Sequence, residues 1–126
     1  NRVRNFEFKI NSADFDLYAL NGDVETFCEK QFLSKKARAN LLLVIEELLT
    51  LYKPYLNDMH VELTIGHSEK TDELNLSCVT DGLEFNPLEN PELQDDIGVN
   101  IIRSFTEKIN FKWADHQNKL ELLIKS

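Results

Sequence analysis

Two alternating runs a short turn apart constrain the architecture of this chain more than any other stretch. In HVELTIGHS, residues 60 to 68, Val61, Leu63 and Ile65 share one face; in ELNLSCVT, residues 73 to 80, Leu74, Leu76 and Cys78 share one, with Val79 out of step. Apolar residues recurring with period two mark a strand with one buried side. The link SEKTD is a tight turn, so the two strands run antiparallel. An antiparallel sheet with one apolar face needs a second layer to cover it.

The rest of the chain supplies that layer. NFEFKI, residues 5 to 10, sets Phe6, Phe8 and Ile10 against Glu7 and Lys9, and reads as a first strand. From Asp16 to Leu33, the residues Leu17, Leu20, Val24, Phe27, Cys28 and Phe32 recur at three- and four-residue steps and predict a helix, broken or delayed by NGD at 21 to 23. Ser34 is placed to cap a second helix that runs from Lys35 until Pro54 disturbs it. Residues 81 to 96, with two prolines and a glycine, show no sustained periodicity and predict a long loop. IGVNIIRSFTEK then reads as a short amphipathic helix, and INFKW with NKLELLIKS as a closing hairpin around ADHQ. The order β, α, α, β, β, loop, α, β, β predicts an α+β two-layer sandwich: a mostly antiparallel sheet of about five strands with three helices on one face.

The 126 residues fit one domain spanning the whole chain, and its first residue, Asn1 rather than Met, is compatible with a processed product or an excerpt from a longer protein. With 42% hydrophobic and 29% charged residues the composition is that of a globular protein. The net charge of −8, from 22 acidic and 14 basic residues, leaves no broad basic face for a phosphate backbone, so nucleic acid is not expected as a partner. The longest apolar run, Leu41 to Ile45, is far too short to span a bilayer, and no membrane partner is expected. Cys28 and Cys78, far apart and outside any CxxC, are read as buried free thiols in a reducing, cytoplasmic compartment, with a disulfide as the alternative. His60, His67 and His116 are scattered and receive no role.

Glu46 and Glu47 stand in the middle of the second helix. At about 100° per residue, Leu41, Val44, Ile45, Leu48 and Tyr52 form the sheet-facing arc, flanked by Leu49 and Leu51. Glu46 falls on the far side and is read as solvated. Glu47 lies at the margin of the arc, where a carboxylate either reaches water or a lysine or emerges beside a cleft as a general base. Two further stretches bear on a site. CVTDGLEFNPLE runs a strand into Asp81 and Gly82, an acceptor for an exocyclic amine beside a residue that lets a ring approach the backbone. DDIGVNIIRSF puts Gly98 at a helix start, where free amides suit an anionic phosphate.

In this order and spacing the three stretches resemble the ATPase domain shared by histidine kinases, gyrase and heat-shock chaperones, most closely its bacterial anti-sigma-factor serine kinases. That family carries Glu-x-x-x-Asn on a helix, the Glu activating the attacking group and the Asn holding Mg²⁺. EELLTL resembles it with Glu47 as the base, and the Asn position falls on Leu51. TDGLEFNPL is similar to the family's Asp-x-Gly-x-x-Phe-Asn-Pro-Leu. Without a gap the adenine-reading Asp falls on Thr80; a one-residue slip would let Asp81 serve. In DDIGVNII only Gly98 survives of a glycine-rich phosphate box, and Asp95 and Asp96 replace small residues. Glu121, in the last strand, takes the place of a Thr that many members keep near the base-reading Asp.

The resemblance implies an ATP cofactor with Mg²⁺ weak or lost. Leucine offers no oxygen to a hard cation, and carboxylates at 95 and 96 repel phosphate. It also implies a partner such as a sigma factor or an antagonist protein, and a homodimer. The function expected is an ATP-binding regulatory domain with weak or absent kinase activity. A nucleotide-free interaction module appended to a larger signalling or transport protein is the alternative.

Overall fold

The computed structural model describes residues 3–93 and 96–126. Five strands form one sheet: β1 (Val3–Ile10), β2 (Val61–Ser68), β3 (Leu74–Asp81), β4 (Thr106–Ala114) and β5 (Gln117–Ile124). The order is β1-β2-β3-β5-β4, and every neighbouring pair is antiparallel. Three helices cover one face: α1 (Leu17–Lys30), α2 (Lys35–Tyr52) and α3 (Ile97–Ser104). The expected α+β two-layer sandwich is therefore the observed one.

Alternation decides which side chains meet the helices. Val61, Leu63 and Ile65 of β2, Leu74, Leu76 and Cys78 of β3, and Leu120, Leu122 and Ile124 of β5 are all buried, while the residues between them face outward and are more exposed. Against this floor α2 lays a wide apolar arc, with Leu41, Val44, Ile45, Leu48, Leu49 and Tyr52 at most 2% exposed. Its start is fixed by Ser34, whose hydroxyl accepts from the Ala37 N–H at 3.0 Å, and its end by Pro54 inside a 3-10 turn. Asn40, buried on the same helix, donates through Nδ2 to the Lys125 carbonyl at 2.9 Å and ties the first turns of α2 to the end of β5.

Two boundaries differ from the periodicity reading. The NGD triplet does not interrupt α1, because Leu20, Val24 and Cys28, four residues apart, anchor both sides of it on the core. Gly22 lies on the outer face with open space around it, at a propensity cost of about 1 kcal/mol relative to Ala. At the other end, α3 stops at Ser104 rather than running to Lys108. From Thr106 the chain pairs with β5, because Ile109 and Phe111 alternate onto the sheet's inner face opposite Leu122 and Leu120.

Cys28 and Cys78 are both free and buried; burial pushes the Cys28 thiol up to about 11 and Cys78 higher still. His67 is also buried, with Gln31 Oε1 3.1 Å from Nδ1 and Asp72 Oδ1 2.7 Å from Nε2, so it packs the end of α1 onto the β2–β3 turn. Among the described residues no helix is long and apolar enough to cross a membrane.

Candidate functional site

At the end of the sheet where β3 runs into the long loop, four cross-strand neighbours form one inward-facing row: Val61, Thr80, Asn118 and Trp113. Thr80 is in phase with Leu74, Leu76 and Cys78 and only 1% exposed, and its Oγ1 has no hydrogen-bond partner. Leaving a buried hydroxyl unsatisfied costs about 1–3 kcal/mol. Its neighbour Asn118, 2% exposed, is fully engaged: Oδ1 accepts from the Phe85 N–H at 2.7 Å and Nδ2 donates to the Leu83 carbonyl at 2.9 Å.

Those two bonds fix how the loop leaves the sheet. Gly82 turns it with φ +96°, a conformation L side chains rarely adopt, while its N–H donates to the His116 carbonyl and its carbonyl accepts from Trp113 Nε1 at 3.3 Å. Phe85 then packs on Tyr55, with ring centroids 4.7 Å apart, and on Tyr52 at 6.1 Å. Asn86 caps the following turn by accepting from the Leu88 N–H, and Arg103 of α3 donates to the Leu88 carbonyl and to Glu89. A cavity of about 380 Å³ opens on this loop, between Tyr55, Phe85 and Asn90.

The structure brings Glu47 and Gly98 together. A Cβ added to Gly98 would stand 2.7 Å from Glu47 Oε2 and 2.9 Å from Asp96 Oδ1, so the glycine makes room for two carboxylates at the start of α3. Asp96 is also the helix cap, accepting from the Val99 N–H at 3.2 Å. The amides expected to meet an anion are thus already approached by the protein's own negative charge. Leu51, on the position the resemblance assigns to the metal-holding Asn, is 5% exposed and part of the apolar core. Such a side chain supplies no oxygen ligand, and the donor set does not fit Mg²⁺ at that place. Glu46 is exposed, as its helical phase predicts. Asp95 lies outside the described residues.

Asp81 is not brought to this site. One position beyond Thr80, it is turned to the sheet's other face, where it accepts from the His60 N–H at 2.8 Å and meets His60 Nδ1 at 3.1 Å. The backbone hydrogen bond from His60, and then the one from its ring, hold the carboxyl below its ordinary range. Together they border a 260 Å³ outer-face cleft with Lys9, Glu62 and Gln117. Period-two geometry therefore opposes the slipped register and leaves Thr80 as the inward-facing residue.

The same argument relocates the residue expected from the last strand. Glu121 pairs with Ser77 and points outward; Asn118 is the partner of Thr80. Asn118 was not singled out from the sequence, although it stands in phase with Leu120, Leu122 and Ile124, and a polar residue on an inward phase is the available signal. No protein-family model matches the chain, and a search of curated proteins gives no match.

Proposed function

We propose that this chain is a regulatory domain of the histidine-kinase-like ATPase type, nearest in its motifs to the anti-sigma serine kinases, that takes a purine nucleotide weakly and does not transfer its phosphate. The observation that carries the reading is the orphan hydroxyl of Thr80, buried on the inner face of β3 at the position where the resemblance places base recognition. A base edge would give that hydroxyl the partner it lacks, and a hydroxyl can both accept and donate. The apolar surroundings of Leu51 and the carboxylates beside Gly98 support the loss of transfer, because neither neutralises a triphosphate. In this reading regulation is exerted on a protein partner such as a sigma factor or its antagonist, by a chain that pairs as a homodimer.

A nucleotide-free interaction module is the second reading, and a specific observation favours it. Asn118 already holds the loop down with both ends of its amide, and Glu47 and Asp96 crowd the place a phosphate would take.

Thermal-shift titration with ADP and ATP, each with and without Mg²⁺, separates the two. Nucleotide binding raises the melting temperature, because a ligand that prefers the folded state stabilises it. The shift is the same with and without metal and survives Asp81→Asn. Saturating nucleotide with no shift would leave the interaction module standing.

A further inference from the structure

The turn between α1 and α2 breaks three local rules within five residues. Helix α1 ends in a Schellman arrangement: the Phe32 N–H donates to the Glu29 carbonyl and the Leu33 N–H to the Cys28 carbonyl, each at 3.1 Å. The left-handed residue of that motif is usually glycine; here it is Phe32, at φ 55°. Its ring is 93% exposed, so the strained position returns no packing within the chain. Immediately afterwards Lys35 and Lys36 open the first turn of α2, which has no acidic residue, although the dipole at a helix start favours negative charge.

Local rules broken together without a compensating contact point to a surface shaped for something outside the chain. Residues 30 to 45 contain no acidic residue in a protein of net charge −8. Lys30, Lys35 and Lys36 are exposed, and among the described residues none forms an ion pair. The adjoining elements carry acidic groups of their own, Glu25 and Glu29 on α1 and Glu69, Asp72 and Glu73 at the β2–β3 turn; Glu29 is matched by Arg38 at 3.5 Å, Glu69 by Arg4 at 3.7 Å, and Asp72 faces the buried ring of His67. A strongly acidic loop lies away from this corner. Asn40 ties this corner to the end of β5, whereas the loop from Asp81 to Asp96, with six acidic residues and no basic one, leaves the opposite end of the sheet.

We propose that the α1–α2 corner is a peripheral docking surface for an anionic lipid bilayer, with Phe32 entering the interface and Lys30, Lys35 and Lys36 meeting the headgroups. The corner presents one exposed aromatic ring on a turn flanked in sequence by Lys30, Lys35 and Lys36 and lines none of the cavities described above, which suits a deformable surface better than a peptide needing a groove. Each lysine near such a surface is worth roughly fivefold in binding at physiological salt. The acidic end of the sandwich then faces away from the membrane. A contact of this kind needs no apolar span, so it is compatible with helices that are too short to cross.

Sedimentation with vesicles of phosphatidylcholine alone, and of phosphatidylcholine with phosphatidylserine, tests it on the whole chain. The protein sediments with the phosphatidylserine vesicles only, and added salt releases it. Lys35→Glu with Lys36→Glu lowers binding on the order of tenfold or more, and Phe32→Gly by on the order of tenfold. Phe32→Gly carries its own folding control, because glycine suits the left-handed position and the variant melts no lower than the wild type. Absence of sedimentation, equal binding to both vesicle types, or unchanged binding by Phe32→Gly overturns the proposal. Binding to soluble polyglutamate without binding to vesicles also overturns it, and assigns the corner to an acidic polypeptide.

Discussion

A buried hydroxyl without a hydrogen-bond partner is a local energetic cost, and Thr80 carries it between Val61 and Asn118. Replacing it with the isosteric valine removes the orphan group, so Thr80→Val stabilises the free protein by about 1 kcal/mol, read as a rise of a few degrees in melting temperature. The same substitution abolishes any stabilisation by ADP. Leu51 gives the opposite lesson. If its position were an exposed metal seat, Leu51→Asn would improve metal–nucleotide affinity; because the leucine is core, the asparagine loses about 2–5 kcal/mol of packing and gains no cation. Chemical denaturation of the variant, with and without Mg²⁺, checks both parts. Gly98→Ala meets only the ends of two flexible carboxylates: disturbing the Asp96 cap costs about 1 kcal/mol, and the better helix propensity of alanine offsets it by a similar amount.

At the scale of elements, β2, β3 and α2 were legible because most of their apolar residues keep one period. The alternation of β2 and β3 and the arc from Leu41 to Tyr52 follow directly from residue spacing. The end of α3 was not legible, since Thr106 to Lys108 fits either a last helical turn or a first strand step, and only pairing with β5 decides between them. The site was readable in part for the same reason. Helical phase put Glu47 at a margin, and strand phase separates Thr80 from Asp81, but the double hold of Asn118 on the loop depends on β3 and β5 being neighbours, which no local pattern states. Asp81 has an elemental role instead, tying the residue before β2 to the end of β3. Its folded carboxyl lies below the unfolded value, so the stabilisation is present above the ordinary carboxylate range and is lost as pH falls through the folded pKa. Asp81→Asn is therefore less stable than the wild type near neutral pH, and the difference closes in acid; melting curves across that range test the sign.

The whole molecule is a sheet with one covered and one open face, and its chemistry divides accordingly. Both cysteines lie in the covered layer as free thiols raised by burial, so a thiol reagent labels neither until the domain unfolds, and labelling should track the unfolding transition in denaturant. The covered face also holds Thr80 and Asn118, with Glu47 and Gly98 meeting at the start of α3, whereas the open face holds Asp81, His60 and Glu121. The functional reading requires that nucleotide choose the first group. Titration of ADP, without metal, into isotopically labelled protein followed through backbone amide NMR shifts tests this directly. The account predicts that the largest shifts fall on Thr80, on Gly82 to Phe85 and on Gly98, and vanish in Thr80→Val; shifts confined to His60, Asp81 and Lys9, or none at saturating ADP, would contradict it.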